Sequence, residues 1–300
     1  MGESKMKKMK WMPAAAAMSA ALLLAACGDD TTEKKETSSS EDLGSIELAY
    51  VEWDSEVAST YVVAEVLESV GYKVDITPLD NAIMWEAVSK GEADAMVSGW
   101  LPATHASQYE KYGADVEDLG PNLQGAKIGL VVPSYMEATS IADLSTEAAS
   151  TITGIEAGAG VVAAAERALE TYPNLESWSL QPSSSGAMTV ALEQAIKNEE
   201  DIVVTGWSPH WKFANYDLKY LEDPEGVFGG EESIHTFVRQ NLEQESPDAF
   251  KILDAFEWTT EDIEEVMLNI YSGTKPEEAA QQWVEENQDV VNKWTEGIEK

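Results

Sequence analysis

GWLPATH at residues 99–105 and GWSPHWK at residues 206–212 share the pattern Gly-Trp-x-Pro within one chain. Each copy follows a helical segment, a turn and a short apolar run, Ala95-Met96-Val97 in the first and Ile202-Val203-Val204 in the second. Helix, turn, buried strand and loop in the same order indicate a repeated structural unit. The repetition predicts a protein with two similar halves.

The order of elements along each half predicts the fold class. Strands and helices alternate as β-α-β-α-β up to the loop at Gly99, and the second half repeats this order up to Gly206. Such alternation is typical of mostly parallel sheets with helices on both faces. Strand patterns at Lys127–Val132 and Ser233–Val238 join the halves. We therefore predict an α/β flytrap fold of two lobes with a two-strand hinge. The expected boundaries are 46–132, completed by 234–300, for the first lobe and 133–233 for the second.

Three tryptophans follow predicted strands: Trp53, Trp100 and Trp207. Open α/β sheets bind ligands at the carboxyl ends of their strands, so we expect these side chains at one cleft between the lobes. An indole ring attracts a cation over its face, and a weakly hydrated quaternary ammonium group leaves water readily. The three residues are therefore predicted to form a cage for such a cation. The structural alternative is core packing, which is the commoner role of a tryptophan in a chain with ten of them.

Two features are candidates for holding an anion beside that cage. Gly158-Ala159-Gly160 opens a helix that continues from Val161, where free backbone N–H groups and the helix dipole favour a carboxylate. His105, on the loop of Trp100, is a candidate hydrogen-bond donor to the same carboxylate. The ordinary alternatives are glycines that serve only the turn and a histidine that is only structural. A cation cage with carboxylate donors fits a betaine, a small zwitterion that balances osmotic stress.

Charge and residue types weigh against most other functions. A formal net charge of −36 excludes nucleic acid as a partner and suits a salty habitat, with an acidic surface kept for solubility as the alternative. Ser184-Ser185-Gly186 lacks the Gly-x-Ser-x-Gly pattern of a nucleophile elbow, so its serines are predicted to cap the following helix. Histidine and acidic spacings match no common metal motif. We predict no metal, no cofactor and no enzymatic activity.

The N-terminal residues predict export and lipid anchoring. Lysines precede an apolar stretch that is shorter than the about 20 residues needed to span a membrane and ends in Leu24-Ala25-Ala26-Cys27. Residues 1–26 are predicted to be a signal peptide, with Cys27 as the lipid-bearing first residue of the mature chain. An ordinary cleaved signal with a chance cysteine nearby is the alternative. Residues 27–45 are predicted to be a flexible tether that holds the protein on the outer face of the cytoplasmic membrane.

Several motifs together resemble one known family. They are Glu52-Trp53-Asp54-Ser55-Glu56, Ser98–His105, Gly154–Gly160, Thr205–Trp211 and Lys219–Pro224. These stretches are similar to those of the glycine betaine and proline betaine binding proteins of bacterial osmoprotectant ABC importers, and the similarity covers nearly all of residues 46–297. Ala157 departs from the pattern, since relatives often have proline there. The resemblance implies two groups of residues within one site. By this resemblance, Trp53, Trp100 and Trp207 surround a trimethylammonium group, while the amides of Gly160 and Val161 and the side chain of His105 hold the carboxylate.

The resemblance also implies a partner. A periplasmic-binding-protein fold anchored outside the membrane delivers its ligand to a permease that ATP hydrolysis drives elsewhere. We predict a monomeric receptor of this kind. Three alternatives stay open at this point: a choline or carnitine receptor of the same fold, an extracellular hydrolase, and a sensory lobe without a transporter.

Overall fold

The computed structural model describes residues 43–298. The strands in that range are β1 (Ser45–Tyr50), β2 (Lys73–Pro78), β3 (Ala95–Leu101), β4 (Val116–Pro133), β5 (Thr151–Thr153), β6 (Ser179–Gln181), β7 (Val203–Ser208), β8 (Leu218–Tyr220) and β9 (Glu232–Arg239). The helices are α1 (Asp54–Val70), α2 (Asn81–Lys90), α3 (Ala106–Tyr112), α4 (Gly160–Thr171), α5 (Ser185–Asn198), α6 (Lys212–Asn215), α7 (Leu242–Glu245), α8 (Pro247–Ala255), α9 (Thr260–Tyr271), α10 (Pro276–Glu286) and α11 (Gln288–Trp294). The predicted signal peptide, Cys27 and most of the predicted tether lie outside the described residues.

The strands form two sheets that share one strand. The first sheet has the order β2-β1-β3-β9-β4, and the second has the order β4-β7-β5-β6 with β8 also paired to β4. β1 pairs in parallel with β2 and β3, and β5 pairs in parallel with β6 and β7. β4 and β9 instead run antiparallel to their neighbours. The parallel arrangement predicted for each half is therefore confined to β1–β3 in the first sheet and β5–β7 in the second. The strands that pass between the lobes, β4 and β9, pair antiparallel with every neighbour.

Strand β4 passes from the first sheet to the second. Residues 116–126 pair with β9, and residues 127–133 pair with β7 and β8. Gly120 and Gly125 have φ angles of 98° and 78°, which residues with a side chain rarely adopt, and the pairing with β9 shifts register around them. We call the part of the chain built on the first sheet the first lobe and the part built on the second sheet the second lobe. The change of sheet at residues 126–127 falls ahead of the predicted lobe boundary at 132.

Each lobe takes a strand from the other half of the sequence. β4 follows β3 along the chain, yet its second part lies beside β7, and β9 follows β7 but lies beside β3. The two Gly-Trp segments belong to β3 and β7, so each is flanked by a strand that crosses between the lobes. Both segments consequently lie at the junction of the lobes.

Helices cover the sheets and complete the core. α1 packs against α9 and α10, and its Val62, Val66 and Leu67 are fully buried. The predicted cap of α5 is confirmed, because Ser184 Oγ accepts a hydrogen bond from the Ala187 N–H at 3.2 Å. Within residues 43–298, no helix combines the length and the hydrophobicity that a membrane span requires.

Several tryptophans do serve the core, as the structural alternative proposed. They are Trp85, Trp178, Trp258, Trp283 and Trp294, all of them buried. The ring centroid of Trp283 lies 5.7 Å from those of Trp258 and Trp294, which joins α10, α11 and the connection between α8 and α9 in one aromatic cluster. Trp53, Trp100 and Trp207 lie elsewhere, at the junction of the lobes.

Candidate functional site

A small apolar pocket lies between the two lobes. About 280 Å³ of space free of protein atoms, open solvent included, lies within it. Its walls include five of the predicted site residues, namely Trp53, Trp100, Trp207, Gly160 and Val161, together with Thr104, Ile128, Ile155 and Ala159. His105, the sixth predicted residue, follows Thr104 directly; it is fully buried and is not one of the wall residues. The structure thus brings the predicted cation groups and the predicted anion groups to one place.

Close packing requires the glycine that precedes each tryptophan of the Gly-Trp segments. Gly99 in β3 lies against Phe237 of β9, and Gly206 in β7 lies against Val131 of β4. A Cβ atom would come within 2.2 Å of the Phe237 ring at the first position and within 2.4 Å of the Val131 side chain at the second. Glycine therefore lets the crossing strand approach, and the next residue turns its indole to the pocket.

The start of α1 fixes two of the tryptophans by hydrogen bonds. Trp100 Nε1 donates to Glu56 Oε1 at 2.7 Å, and Ser55 Oγ donates to Glu56 Oε2 at 2.5 Å. Trp207 Nε1 reaches across from the second lobe and donates to Ser55 Oγ at 3.1 Å. Burial raises the pKa of the Glu56 carboxyl to about 7. Because the polar edge of each indole is bound in this way, the ring faces remain available to the pocket.

Further hydrogen bonds between the lobes surround Trp53. Its Nε1 donates to Glu156, which belongs to the glycine loop of the second lobe. The neighbouring Asp54 accepts a hydrogen bond from Trp211 Nε1 at 2.7 Å and lies 3.5 Å from His210 Nε2. Burial alone would raise the pKa of Asp54, but His210 and the hydrogen bonds to its carboxylate hold that pKa well below its usual range. The start of α1, with Trp53 directly before it, therefore binds the second lobe through polar and charged groups.

The predicted anion side of the pocket is the start of α4. Gly160 and Val161 are the first residues of this helix, so their N–H groups have no acceptor inside it. The positive end of the helix dipole adds to the attraction for an anion. Gly160 also packs against Thr104 of the first lobe, where a Cβ atom would lie 2.4 Å from the Thr104 carbonyl oxygen. A glycine at this position lets the first lobe close against the start of the helix.

His105 is fully buried and offers an unused donor. Its Nδ1 accepts a hydrogen bond from the Trp100 N–H at 3.1 Å, which assigns the ring proton to Nε2. That Nε2 is buried and has no hydrogen-bond partner within the described part of the chain. Burial lowers the pKa of His105 to about 3, so the ring is neutral. The ring centroids of His105 and Trp53 are 5.8 Å apart, which places this donor close to the cage.

A comparison with family models decides the family. The model of OpuAC, the substrate binding domain of ABC-type glycine betaine transport systems, matches residues 44–286. The match covers most of the chain. The chain belongs to the OpuAC family.

Individual relatives agree with this assignment. The glycine betaine/carnitine transport binding protein GbuC of Listeria monocytogenes serotype 1/2a is 50% identical over 159 residues, 53% of this chain and 53% of its own length. The chain thus matches about half the length of this curated relative. Lactococcal OpuAC, in a closed form complexed with glycine betaine, superposes with a TM-score of 0.83 and 56% identity, covering 84% of this chain and all of that one. A choline binding protein of an ABC transporter, complexed with choline, gives a TM-score of 0.79 and 27% identity over 85% of this chain and 92% of its own.

These findings confirm the predicted resemblance and the two-lobed α/β fold. The structure also shows which residues of the OpuAC-family pocket the sequence did not indicate. The indole acceptors Ser55, Glu56 and Glu156 were missed, as was Glu232, whose Oε1 accepts hydrogen bonds from the Ala103 and Thr104 N–H groups at 2.5 and 2.8 Å. A buried indole N–H needs an acceptor, so the acidic residues beside Trp53 carried a signal that could have been used.

Proposed function

We propose that this OpuAC-family chain is an extracytoplasmic receptor for glycine betaine or a related quaternary-ammonium compatible solute such as proline betaine. In this proposal the receptor delivers its ligand to the permease of an ABC importer and so protects the cell from osmotic stress. The similarity to lactococcal OpuAC in complex with glycine betaine supports the ligand class. The observation that carries the proposal is one pocket with three indole walls on one side and unpaired N–H donors on the other.

We propose a role for each residue of the pocket. Trp53, Trp100 and Trp207 surround the quaternary ammonium group, whose charge is attracted to the ring faces. The N–H groups of Gly160 and Val161, with Nε2–H of His105, hold the carboxylate. All three donors are neutral, so the anion is bound by hydrogen bonds and the helix dipole without a charged side chain from this set.

Closure of the cleft follows from the same contacts. Hydrogen bonds from Trp207 to Ser55 and from Trp211 to Asp54 join the two lobes, so they form only when the lobes meet. A ligand that contacts both lobes binds the closed form better than the open form and shifts the population toward it. We propose that the lobes move about the crossing strands β4 and β9. One moving body holds the predicted residues 46–132 and 234–300, and the other holds residues 133–233. We move the first boundary between them from 132 to the change of sheet, residues 126–127.

A receptor for choline or carnitine is the second candidate. The similarity to a choline binding protein in complex with choline supports it, and the name of the Listeria relative includes carnitine. Choline has no carboxylate, so it would leave the donors of His105, Gly160 and Val161 without an anion. A buried donor without a partner costs about 1–3 kcal/mol, which favours a zwitterion with a carboxylate over choline as the ligand of this pocket.

Calorimetric titration of the purified protein tests the proposal. Glycine betaine, proline betaine, choline and carnitine are each titrated at low and at high salt. We expect tight binding of the betaines and weaker binding of choline. Preferred binding of choline or carnitine would support the second candidate, and an absence of heat from all four with folded protein would overturn both. Proton NMR of each ligand after long incubation tests the hydrolase alternative, for which we expect unchanged ligand spectra.

We also propose lipid anchoring through Cys27 and a monomeric state. Lipid attachment at the residue after a cleaved signal would keep the receptor beside its permease. Expression of wild type and of Cys27→Ser with a C-terminal tag tests the anchor: the wild type should stay in the membrane fraction and the variant should not. Equal distribution of the two proteins would refute it. Sedimentation analysis of the purified protein, with and without glycine betaine, tests the oligomeric state, for which we expect a monomer in both cases.

A further inference from the structure

A buried lysine lies over the ring of one of the cage tryptophans. Lys212, the first residue of α6, has no solvent exposure. Its Nζ lies 4.3 Å from the centroid of the Trp207 ring and donates a hydrogen bond to the Trp207 carbonyl oxygen at 3.3 Å. This distance is within the range of a cation–π contact. Trp207 therefore already has one cationic partner within the protein.

The lysine approaches the ring from the interior of the second lobe. Lys212 is not a wall of the pocket, whereas Trp207 is. The lysine Cε lies close to Gly206, where a Cβ atom would be 3.6 Å away from it. The pocket thus borders Trp207 on one side and the ammonium of Lys212 approaches it on another. Burial lowers the pKa of Lys212 to about 7, while Asp54 across the cleft favours its charged form.

We propose that Lys212 is a specificity-determining residue that makes the cage favour zwitterions over ligands with a net positive charge. The inference rests on the proposed function of the pocket as a quaternary ammonium site. A ligand cation over the accessible face of Trp207 would lie within about 10 Å of Lys212 Nζ, since each cation lies within about 6 Å of the ring centroid. At that distance the two like charges repel through a low effective dielectric, and they also compete for the same π electrons.

A carboxylate on the ligand offsets this repulsion. Choline is only repelled by Lys212, because it carries a positive charge and no negative one. In a betaine the carboxylate, held by α4 and His105, is attracted by the same ammonium that repels its quaternary nitrogen. Most of the electrostatic penalty therefore cancels for the zwitterion and remains for the cation. Lys212 would weaken choline binding by about ten-fold and betaine binding by about two-fold on this basis.

Lys212→Met is the decisive variant, because it keeps the length and removes the charge from a buried site. Lys212→Gln, which is also neutral, provides a second variant in case the first fails to fold. Lys219→Met is the matched control: Lys219 belongs to β8 of the same lobe, and its Nζ donates to the Met136 carbonyl oxygen at 2.6 Å, away from the cage. The affinities of each protein for glycine betaine and for choline are measured by calorimetry at about pH 6, below the pKa of Lys212, so that the wild-type side chain is charged, and at one salt concentration.

We expect both Lys212 variants to bind choline about ten-fold more tightly than the wild type and betaine about two-fold more tightly, so that the ratio of the two affinities narrows about five-fold. The Lys219 variant should leave that ratio unchanged. An unchanged ratio in folded Lys212 variants, or the same change in the Lys219 variant, would overturn the inference while the wild-type affinities still support the proposed function. If the wild type binds neither ligand, the proposed function and the inference fall together.

Discussion

The two Gly-Trp loops have the same construction but contribute differently to the pocket. In both, the glycine lies against a crossing strand, the tryptophan lines the pocket, and the X-Pro bond that follows is cis, at Leu101–Pro102 and Ser208–Pro209. In both, the fifth residue after the tryptophan is fully buried, and its side chain forms a hydrogen bond with the backbone of that tryptophan. That residue is His105 in the first loop and Lys212 in the second, and here the two loops diverge.

The difference places unlike groups at equivalent positions of a repeated structural unit, and the proposed site would use both for one ligand. His105 accepts the Trp100 N–H and keeps a free donor for an anion, whereas Lys212 donates to the Trp207 carbonyl and places a cation over the indole. The acceptors of the indoles differ as well. Trp100 is bound by Glu56 of its own lobe, and Trp207 is bound by Ser55 of the opposite lobe. In the proposed site, the first loop therefore combines a cation wall with an anion donor, and the second combines a cation wall with a contact that closes the cleft.

Glu56 joins the two loops, because it accepts hydrogen bonds from Trp100 and from Ser55, and Ser55 in turn accepts one from Trp207. Replacement of Glu56 should cause the largest change, which is in the free energy of unfolding. Its pKa is raised from the usual 4.5 to about 7 by burial, so the folded protein keeps a proton that the unfolded chain loses at lower pH. The resulting stability is complete below pH 4.5 and is lost as the pH rises through about 7. A shift of this size corresponds to about 3 kcal/mol of unfolding free energy. Glu56→Gln is neutral at every pH and should escape this loss.

Urea unfolding of both proteins between about pH 4 and about pH 8 measures the difference. The unfolding free energy of the wild type should fall by about 3 kcal/mol relative to that of Glu56→Gln over this interval, while contributions from all other carboxylates cancel in the comparison. Parallel pH profiles would mean that Glu56 has the same pKa in the folded and unfolded chains, so that the carboxylate that joins the loops would be fully ionised at neutral pH despite its burial.

Trp100→Ala and Trp207→Ala compare the cation walls of the two loops directly. Each should weaken betaine binding by about thirty-fold, because a desolvated cation–π contact contributes about 2 kcal/mol. Calorimetry on each folded variant gives the affinities. Trp178→Phe is the control, since Trp178 donates to the Ser145 carbonyl oxygen at 3.0 Å in the core of the second lobe. Affinities that match the control in both alanine variants would remove the cage, and a loss in one alone would assign the cation to a single loop.

The sequence predicted the strands and helices whose pattern is local and missed the strand that depends on a distant partner. The helix predicted to continue from Val161 is α4 (Gly160–Thr171), and the predicted apolar run Ala95-Met96-Val97 lies in β3. Residues 116–126 contain Gly120, Pro121 and Gly125 and look like a loop, yet they form a strand because β9 provides the pairing and the irregularities absorb these residues. Such pairing depends on tertiary contact, which the local pattern does not contain.

The same distinction applies to the site. The positions of Trp53, Trp100 and Trp207 at strand ends follow from the order of elements, so one cleft could be predicted for them. The bonds that orient them join residues far apart in sequence: 44 positions separate Trp100 from Glu56 and 152 separate Trp207 from Ser55. Only the folded chain shows which acidic residue or hydroxyl meets which indole.

His105→Ala separates the anion donor of the first loop from its cation wall. It should weaken betaine binding by about ten-fold or more, since hydrogen bonds to charged groups contribute about 1.5–3 kcal/mol, and choline binding by no more than about two-fold. Calorimetry with both ligands measures the two losses. The backbone N–H of Trp100 also loses its acceptor, and this contribution is common to both ligands. Equal losses would therefore mean that His105 only supports the loop.

Ser55→Ala tests the contact between the lobes that distinguishes the second loop, and we expect the smallest effect from it. The variant removes the acceptor of Trp207 Nε1, together with the hydrogen bond that Ser55 Oγ donates to Glu56, and leaves the indole ring in place. A hydrogen bond of this kind contributes about 1 kcal/mol, so betaine affinity should fall by about five-fold. Because the bond joins the lobes, the loss belongs to the closed form and should appear as faster ligand release in stopped-flow tryptophan fluorescence. Ser59→Ala is the matched control, since Ser59 Oγ is buried in the same helix and donates only to the Glu56 carbonyl oxygen at 3.3 Å. Equal release rates for the two variants would mean that Trp207 is held by its packing alone, and the two loops would then differ only at His105 and Lys212.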